Sequence, residues 1–455
     1  MQKKINTVCR SAVALMLLLI LVLTVSACAG TSGGGEGTTS GIVTTGGHGP
    51  AVTDPPQTND SETQTPSDST SLTIPAATDT DAPPAEDKII SFLACGDNIV
   101  YRPAAYEAAD RAVDGGRKYN FKPIYKNVAD MIAAADVAFV NQETAIAGAE
   151  YGISGYPTFN TPEAIANDLA ELGFDVVSLA NNHILDMREA GLLNTINYWR
   201  DLPVLTVGAY LDDADAASIR VLERDGVRIA FLAYTYGANG RTVRKDSPLI
   251  VSFYKDPDKN SPTYGEIYEE RLADDVAAAR SVADVVVVSV HWGNEDTQKV
   301  SGEQKKVAAI LCDAGADVIL GHHPHVLQSI EYIKSSDGTR STLCAYSLGN
   351  FLGMQGYDYN ALAGMLSFNI RVGADGVSTE CVRLTPIVSY FEKDFRSNEI
   401  YLLSDFTDEL CQKHCVVQRG GDGTFGGRMT ISSLRYYLNN AISDEFLADE
   451  FKSAS

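Results

Sequence analysis

Short apolar runs alternate with amphipathic segments through the middle of the chain. The first run, Ile89–Cys95, is apolar at nearly every position, which is typical of a strand buried on both faces. The same pattern predicts further strands at Val137–Val140, Val176–Ala180, Val204–Val207, Val285–Val290 and Val318–Leu320. Helical spacing of the apolar residues predicts helices at Ile124–Ala135, Glu163–Leu172, Arg188–Trp199, Tyr268–Val282 and Glu303–Ala314. Strands that alternate with helices indicate an α/β domain.

Later strands follow one another without helices between them. Asp225-Gly226 is a hairpin dipeptide that joins the predicted strands Ile219–Arg224 and Val227–Tyr234. Four more strands are predicted at Ser329–Lys334, Leu343–Ser347, Met365–Val372 and Ser378–Leu384. This order predicts mixed sheets, with two sheets packed face to face as one arrangement. We place the folded domain at residues 88–390 and expect residues 391–455 to form a helical or irregular extension.

The N-terminus has the organisation of a secretory signal. Three basic residues precede the apolar run Ala12–Val25, and small residues lead to Cys28. The run is shorter than the ~20 residues that span a bilayer. Residues 1–28 therefore resemble a bacterial lipoprotein signal with a lipobox, and Cys28 is the expected lipidation site. The protein is expected outside the cytoplasm, anchored to the cell membrane by lipid; the alternative is an uncleaved membrane anchor.

Residues 29–87 differ in composition from the rest of the chain. They contain nine Asp or Glu residues, no Lys or Arg, and few apolar side chains among Gly, Ser, Thr and Pro. Such a segment cannot bury enough apolar surface to offset the entropy lost on ordering. We expect a disordered tether that holds the folded domain away from the membrane.

Charge and size restrict the function. With 455 residues, 45% of them hydrophobic, the chain can bury a large core. Its net charge of −23 argues against nucleic-acid binding, which needs a basic surface for the phosphates. An anionic substrate is not excluded, because a bound metal ion can reverse the local field.

Metal-binding residue types collect after the predicted strands. Five of the seven histidines follow apolar strands, namely His183, His291, His322, His323 and His325. Asp97, Asn141 and Glu143 occupy similar positions. A single histidine is more often structural, but ligands bind beyond the carboxyl ends of strands in α/β sheets. Together these residues predict a metal site.

Six motifs in order carry a family resemblance. They are Gly96-Asp97, Asn141-x-Glu143, Asn181-Asn182-His183-x-x-Asp186, His291-Trp292-Gly293-x-Glu295, His323-Pro324-His325-Val326-x-Gln328 and Ser347-Leu348-Gly349-Asn350-Phe351. Over about Ile90 to Pro386 the chain looks like the CapA family of capsule-synthesis proteins, which are associated with poly-γ-glutamate. That family is similar to the calcineurin-like metallophosphoesterases. The resemblance implies a four-layer α/β/β/α sandwich with mixed sheets and a metal site at the sheet edges.

The resemblance also implies roles for individual residues. The implied metal ligands are Asp97, Glu143, Asn182, His291, His323 and His325, with Glu143 in the bridging position. His183 matches the histidine that protonates the leaving group. One or two divalent transition-metal ions (Mn, Fe or Zn) are expected as cofactor. The expected substrate-binding residues are Asn141, Trp292, Glu295 and Asn350.

One departure leaves two functions open. The phosphoesterases have Asp-x-His in the first motif, whereas Asp97 is followed here by Asn98-Ile99. One hypothesis is a metal-dependent hydrolase or transferase that acts on an anionic capsule polymer, its precursor or a phosphoester. The other is a non-catalytic subunit of a capsule synthesis or export complex that binds polymer through a vestigial site.

Overall fold

The structure is a computed structural model that describes residues 86–112, 116–420 and 428–453. The expected lipoprotein signal, with Cys28, and the tether up to residue 85 lie outside the described residues. Within those residues, no helix has the length and apolar character needed to cross a membrane.

Strands and short helices alternate through the described part of the chain. The strands are β1 (Lys88–Asn98), β2 (Val137–Gln142), β3 (Val176–Ser178), β4 (Leu205–Val207), β5 (Ala209–Tyr210), β6 (Arg220–Arg224), β7 (Val227–Thr235), β8 (Ile250–Val251), β9 (Val285–His291), β10 (Val318–His322), β11 (Ile330–Lys334), β12 (Ser341–Ala345), β13 (Leu362–Gly373), β14 (Gly376–Tyr390) and β15 (Glu399–Leu402). The helices are α1 (Arg102–Asp110), α2 (Ala129–Ala133), α3 (Ala164–Leu172), α4 (Arg188–Arg200), α5 (Asp213–Ala217), α6 (Glu269–Val282), α7 (Gly302–Ala314), α8 (Asp358–Ala361), α9 (Asp408–Lys413), α10 (Cys415–Gln418) and α11 (Ile431–Ala441).

The strands form two mixed sheets and one short pair. The first sheet has the order β15-β14-β13-β1-β2-β3-β4, with β1 to β4 parallel and the other three strands antiparallel. The second has the order β11-β12-β10-β9-β7-β6, with parallel strands at its centre and an antiparallel strand at each edge. Strands β5 and β8 form the separate pair.

Alternate residues of strand β9 belong to two different cores. Val285 and Val287 belong to the core between the two sheets, where Phe92 of β1 stacks on Phe231 of β7 at 6.3 Å. Val286 and Val288 belong to a second core under α6 and α7. Because neighbouring residues of a strand point to opposite faces, β9 lies between a sheet and a helical layer.

The other helical layer belongs to the first sheet. Helices α1 to α4 contribute apolar residues to the core that contains this sheet, and α9 to α11 pack into the same core. The expected α/β/β/α sandwich with mixed sheets is therefore confirmed.

Local sequence signals set the ends of α7. The Ser301 hydroxyl accepts a hydrogen bond from the Gln304 backbone N–H at 3.2 Å, and the Gln304 side chain accepts one from the Ser301 N–H at 2.9 Å. The helix ends at Gly315, whose φ of 109° lies in the left-handed region that glycine tolerates.

Two features of the fold differ from the sequence prediction. The predicted helix Ile124–Ala135 is a 3₁₀ turn at Lys122–Tyr125 followed by α2. The Asn127 amide between them donates to the Ile400 carbonyl at 2.8 Å, which ties the break to β15. The predicted helical or irregular extension also contains β15 itself, which pairs with β14 at the edge of the first sheet.

Gly96 lies where β1 passes closely under the loop after β12. The Asp97 N–H donates to the Gly349 carbonyl at 2.9 Å, and a Cβ at Gly96 would lie 2.0 Å from that carbonyl oxygen. We expect Gly96→Ala to lower the free energy of unfolding by about 3 kcal/mol, as overpacking of a tight core does. Urea unfolding would measure the change.

Gly302→Ala provides the matched control for this prediction. Gly302 opens α7, and apart from its chain neighbours and the backbone of its own helix no described residue lies within 4 Å of a Cβ placed there. Alanine favours a helix over glycine by about 1 kcal/mol, so the control should be neutral or slightly stabilising. Equal unfolding midpoints for the two variants would contradict the close approach at Gly96.

Candidate metal centre

The carboxyl ends of the central strands bring the predicted metal ligands together. Asp97 is the next-to-last residue of β1, and Glu143 directly follows β2. His291 is the last residue of β9, and it is paired in parallel register with His322, the last residue of β10. All of the ligands implied by the family resemblance are buried, namely Asp97, Glu143, Asn182, His291, His323 and His325.

Asp97 is fully hydrogen-bonded within the site. Its Oδ1 accepts from the Asn141 amide at 2.8 Å and lies 3.1 Å from His322 Nδ1. Its Oδ2 accepts from the His323 backbone N–H at 3.1 Å and lies 3.3 Å from His325 Nδ1. Burial alone would raise the pKa of Asp97, but the His322 and His325 imidazoles hold that pKa well below its usual value. Asp97 is therefore ionised, which is the form that a carboxylate ligand of a metal ion requires.

Glu143 lies at the centre of the cluster, and no described residue donates a hydrogen bond that would balance the charge of its carboxylate. Its Oε1 is 3.7 Å from His291 Nε2 and 3.8 Å from His325 Nε2. Within the described part of the chain, neither carboxylate oxygen has a hydrogen-bond partner. Burial, and then the charge of Asp97, raises the pKa of Glu143 well above its usual value. A buried carboxylate without partners is costly unless a cation balances it.

Two groups of three ligands meet at Glu143. One contains Glu143, His323 and His325, and the other contains Asp97, Glu143 and His291. Within each group the candidate ligand atoms lie within 4.8 Å of one another. Glu143 belongs to both groups, which is the placement expected of the bridging residue that the resemblance implies.

Several imidazole nitrogens in the cluster also lack partners. His291 Nδ1, His322 Nε2 and His323 Nδ1 are buried and make no hydrogen bond to a described residue. Burial, and then neighbouring imidazoles, lowers the pKa of His291 well below its usual value and that of His323 to about 3. Both rings are therefore neutral, which is the form that binds a metal ion. Carboxylates and neutral imidazoles together suit Mn, Fe or Zn, so the residues fit the expected cofactor.

The His-Pro-His segment reaches the site through bent backbone. His323 and His325 have φ values of 94° and 58°, which lie in the left-handed region. Such values are costly for residues other than glycine and concentrate at functional sites. The bend brings the His323 ring to 4.8 Å from that of His291 and 5.7 Å from that of His325.

The predicted catalytic histidine stands outside both ligand groups. His183 Nδ1 lies 2.8 Å from Asp186 Oδ2, and its ring makes a T-shaped contact with that of Phe159. The Asp186 carboxylate also accepts from the Phe159 N–H at 2.7 Å and from Arg241 Nη1 at 3.1 Å. Because Asp186 occupies Nδ1, Nε2 is the ring nitrogen left for proton transfer.

Asn182, the implied amide ligand, lies against this centre. Its Oδ1 is 3.1 Å from His291 Nε2, so it contacts the Asp97–Glu143–His291 group.

The four expected substrate-binding residues occupy different environments. Asn141 and Asn350 are buried supports, because Asn141 holds Asp97 and Asn350 Oδ1 lies 3.0 Å from His325 Nδ1. Trp292 was predicted wrongly: it is fully buried in the core under α6 and α7, and its indole N–H donates to the Tyr346 carbonyl at 2.9 Å. Glu295 is exposed.

Two site residues were missing from the predicted set. His322 was recognised as a strand-end histidine but not as the partner of Asp97. Tyr236 follows β7, and its ring lies 4.7 Å from that of His323 and 6.3 Å from that of His291. Its position directly after an apolar strand is the signal that would have identified it.

The first motif lacks the histidine of the Asp-x-His pattern, and His322 lies close to Asp97. The Asn98 side chain bonds Gln142 Oε1 and the Tyr125 hydroxyl, both at 2.7 Å, and neither belongs to the ligand groups. His322 instead brings an imidazole to Asp97 from the neighbouring sheet.

Comparison with known proteins identifies the family. The family described as "Bacterial capsule synthesis protein PGA_cap" matches residues 91–355, which is more than half of the chain. The chain belongs to this family. The match contains every residue of the metal centre.

Individual relatives cover less of the chain. The capsule biosynthesis protein CapA of Bacillus anthracis is 33% identical over 210 residues, which are 46% of this chain and 47% of that protein. The PGA biosynthesis protein CapA of Bacillus subtilis (strain 168) is 31% identical over 211 residues, 46% and 50% of the two chains. A probable polyglutamine synthesis accessory protein of Mycobacterium tuberculosis is 28% identical over 245 residues, 52% and 59%. The chain thus spans about half the length of the two CapA relatives.

Metal uptake by this PGA_cap centre should release protons. Burial opposes the charged form of His325, but the carboxylates of Glu143 and Asp97 outweigh it and raise the pKa of His325 to about 10. The metal-free cluster therefore holds at least one proton at neutral pH, which a metal ion must displace. Affinity should rise with pH up to about pH 10, by up to about tenfold per pH unit for each proton released.

Calorimetry tests this linkage directly. The heat of Mn²⁺ or Zn²⁺ binding at pH 7 should differ between two buffers of unlike ionisation enthalpy. Identical heats would show that no proton leaves, and that His325 does not take part in binding.

Proposed function

We propose that this protein uses the metal centre to act in the synthesis, export or anchoring of an anionic capsule polymer of the poly-γ-glutamate kind. The observation that carries this proposal is Glu143, a fully buried carboxylate that has no hydrogen-bond partner among the described residues and is shared by two groups of side chains that could hold a metal ion. Family membership supports the polymer, because the similar proteins are named for capsule, PGA and polyglutamine synthesis.

The residues of the site have two different chemical roles. Asp97, Glu143 and the surrounding histidines would hold one or two divalent ions. Such an ion supplies a Lewis acid that polarises a phosphoryl or amide carbonyl oxygen and lowers the pKa of bound water. His183, oriented by Asp186, carries a proton at Nε2 to a leaving group. This assigns metal-dependent hydrolase or transferase chemistry.

A second candidate is a non-catalytic subunit that binds polymer or assembles a capsule synthesis complex. The observation that favours it is Asn98, which replaces the imidazole of the first phosphoesterase motif and bonds Gln142 and Tyr125. The third candidate is a metal-dependent phosphoesterase that uses the same ligand set.

Genetic complementation tests the proposal. In a strain that lacks this chain, the full-length wild type should restore capsule polymer and should purify with a first-row transition metal. Glu143→Gln should restore neither. A wild-type chain without metal, together with full polymer in the Glu143→Gln strain, would overturn the proposal.

We propose that the protein works outside the cytoplasm, held at the cell membrane by a lipid on Cys28. The signal-like sequence before Cys28 supports this. Cys28→Ala should move most of the protein from the membrane fraction to the soluble fraction, because the anchoring acyl chains are lost. Globomycin should block processing of the wild type. Full membrane retention of Cys28→Ala would contradict lipid anchoring.

A further inference from the structure

A cationic cavity lies beside His183. It has a volume of about 670 Å³ and lies between the first turn of α4 and the loop that follows β7. Its lining includes Arg188, Glu189, Ala190, Arg241, Thr242 and Arg244. Three arginines and one carboxylate thus line the cavity, in a chain whose net charge is −23.

Arg188 is the unpaired cation of this cavity. It is exposed, and its side chain makes no hydrogen bond or ion pair with any residue that the structure describes. Its φ of 60° is the left-handed conformation, which arginine seldom adopts. Its guanidinium is therefore available to an anion from outside the protein.

The other two arginines are held in place by carboxylates. Arg244 Nη2 lies 3.4 Å from Glu189 Oε2, and its backbone N–H donates to Glu189 Oε1 at 2.7 Å. Arg244 Nε also lies 3.4 Å from the exposed Asp246. Arg241 Nη1 bonds the buried Asp186 at 3.1 Å. Each guanidinium has five N–H donors, so both retain donors for a further ligand.

The cavity and the metal centre share one loop. Asn239, two residues before Arg241, lies 3.4 Å from His183 Nδ1 through its amide nitrogen and accepts from the Asn182 amide at 3.4 Å. Arg241 bonds Asp186, which in turn holds His183. A polymer that reaches the metal centre past His183 would therefore also reach the arginines of the cavity.

We propose that this cavity is an anion subsite that binds a carboxylate of a polycarboxylate chain while a neighbouring unit lies at the metal centre. The inference rests on the proposed function, because it takes the capsule polymer as substrate. The planar guanidinium matches a carboxylate in a bidentate pair. A polyanion is repelled by the protein's overall charge, so locally positive groups are needed to hold it. Occupying two places at once also favours polymer over a single unit.

The test is binding of γ-linked glutamate oligomers to the full chain, with metal content measured on the same samples. Arg188→Gln and Arg244→Gln should each weaken binding of a long oligomer by about tenfold, the usual effect of losing a charged hydrogen bond. Binding of free glutamate should not change, because a single glutamate is too short to contact both the cavity and the metal centre. Metal content should match the wild type.

Arg200→Gln is the matched control. Arg200 is an exposed arginine at the other end of α4, about 18 Å along the helix from Arg188. The Arg200→Gln variant removes the same charge as the cavity variants do, and it should leave oligomer binding unchanged.

Several outcomes separate this subsite from the proposed function. If metal-loaded wild type binds the oligomer and both cavity variants bind it equally well, the subsite is wrong while the function stands. If the variants bound inorganic polyphosphate more weakly but bound the glutamate oligomer as the wild type does, the assignment of the subsite to a carboxylate would be wrong. If the chain carries no metal, the proposed function fails, and weaker oligomer binding by Arg188→Gln would still support the subsite.

Discussion

Glu143→Gln should remove metal from both ligand groups at once. Glu143 is the residue that the two groups share, and both of its oxygens are free of hydrogen bonds to described residues. Losing a residue that merely supports a ligand already costs about 10- to 100-fold in metal affinity. We therefore expect metal content, measured by elemental analysis of the purified chain, to fall by well over tenfold.

Single histidine variants should separate the two groups. His323→Ala leaves Asp97, Glu143 and His291 in place, whereas His291→Ala leaves Glu143, His323 and His325. Each should lower occupancy sharply while retaining part of the metal, if the centre holds two ions. If it holds one ion, one of the two variants should lose nearly all of the metal.

Thermal unfolding distinguishes ligand loss from misfolding. A ligand at 100 times its dissociation constant stabilises the folded state by about 2.7 kcal/mol. A chelator should therefore lower the melting temperature of the wild type and leave that of Glu143→Gln unchanged. Glu266→Gln, at an exposed glutamate, is the control and should bind metal normally. Wild-type metal content in Glu143→Gln would show that Glu143 is not a ligand.

Simple periodicity predicted the alternation of strands and helices and the collection of polar residues after the strands, whereas the four layers and the individual ligands were implied by the family resemblance. Apolar runs that alternate with helical spacing define parallel strands, and the carboxyl ends of such strands meet at one edge. This reasoning placed His291 and His323 in one site although they lie 32 positions apart in the sequence. It required no knowledge of which strands are neighbours.

Features that depend on register or on distant contacts were not predictable in this way. Pairing His322 with Asp97 needs the parallel register of β9 and β10 and the packing of one sheet on the other. Strand β15 is only four residues long and half-buried, so it has no apolar run to reveal it. Trp292 is different: strand alternation places it opposite His291, so its burial in the helical core could have been inferred.

His183→Ala should separate catalysis from metal binding. His183 lies outside both ligand groups, and its Nδ1 is bonded to Asp186, so its removal leaves every ligand of the two groups in place. Metal content should equal that of the wild type. If His183 is the proton donor, the rate of polymer cleavage or transfer should fall by about 10²- to 10⁴-fold, the usual contribution of general acid catalysis.

The same variant decides between the enzyme and the non-catalytic subunit. The subunit needs the fold and the metal centre but no proton donor, so in that case His183→Ala would retain metal and still support normal polymer production in cells. His48→Ala is the control, since it lies in the predicted tether and should change neither quantity. A His183→Ala protein that loses its metal would instead make His183 a ligand and remove the basis for assigning it the proton. Retained metal with lost polymer is the result expected here, because His183 belongs to neither ligand group and its imidazole is fixed by Asp186, which is itself held by Phe159 and Arg241.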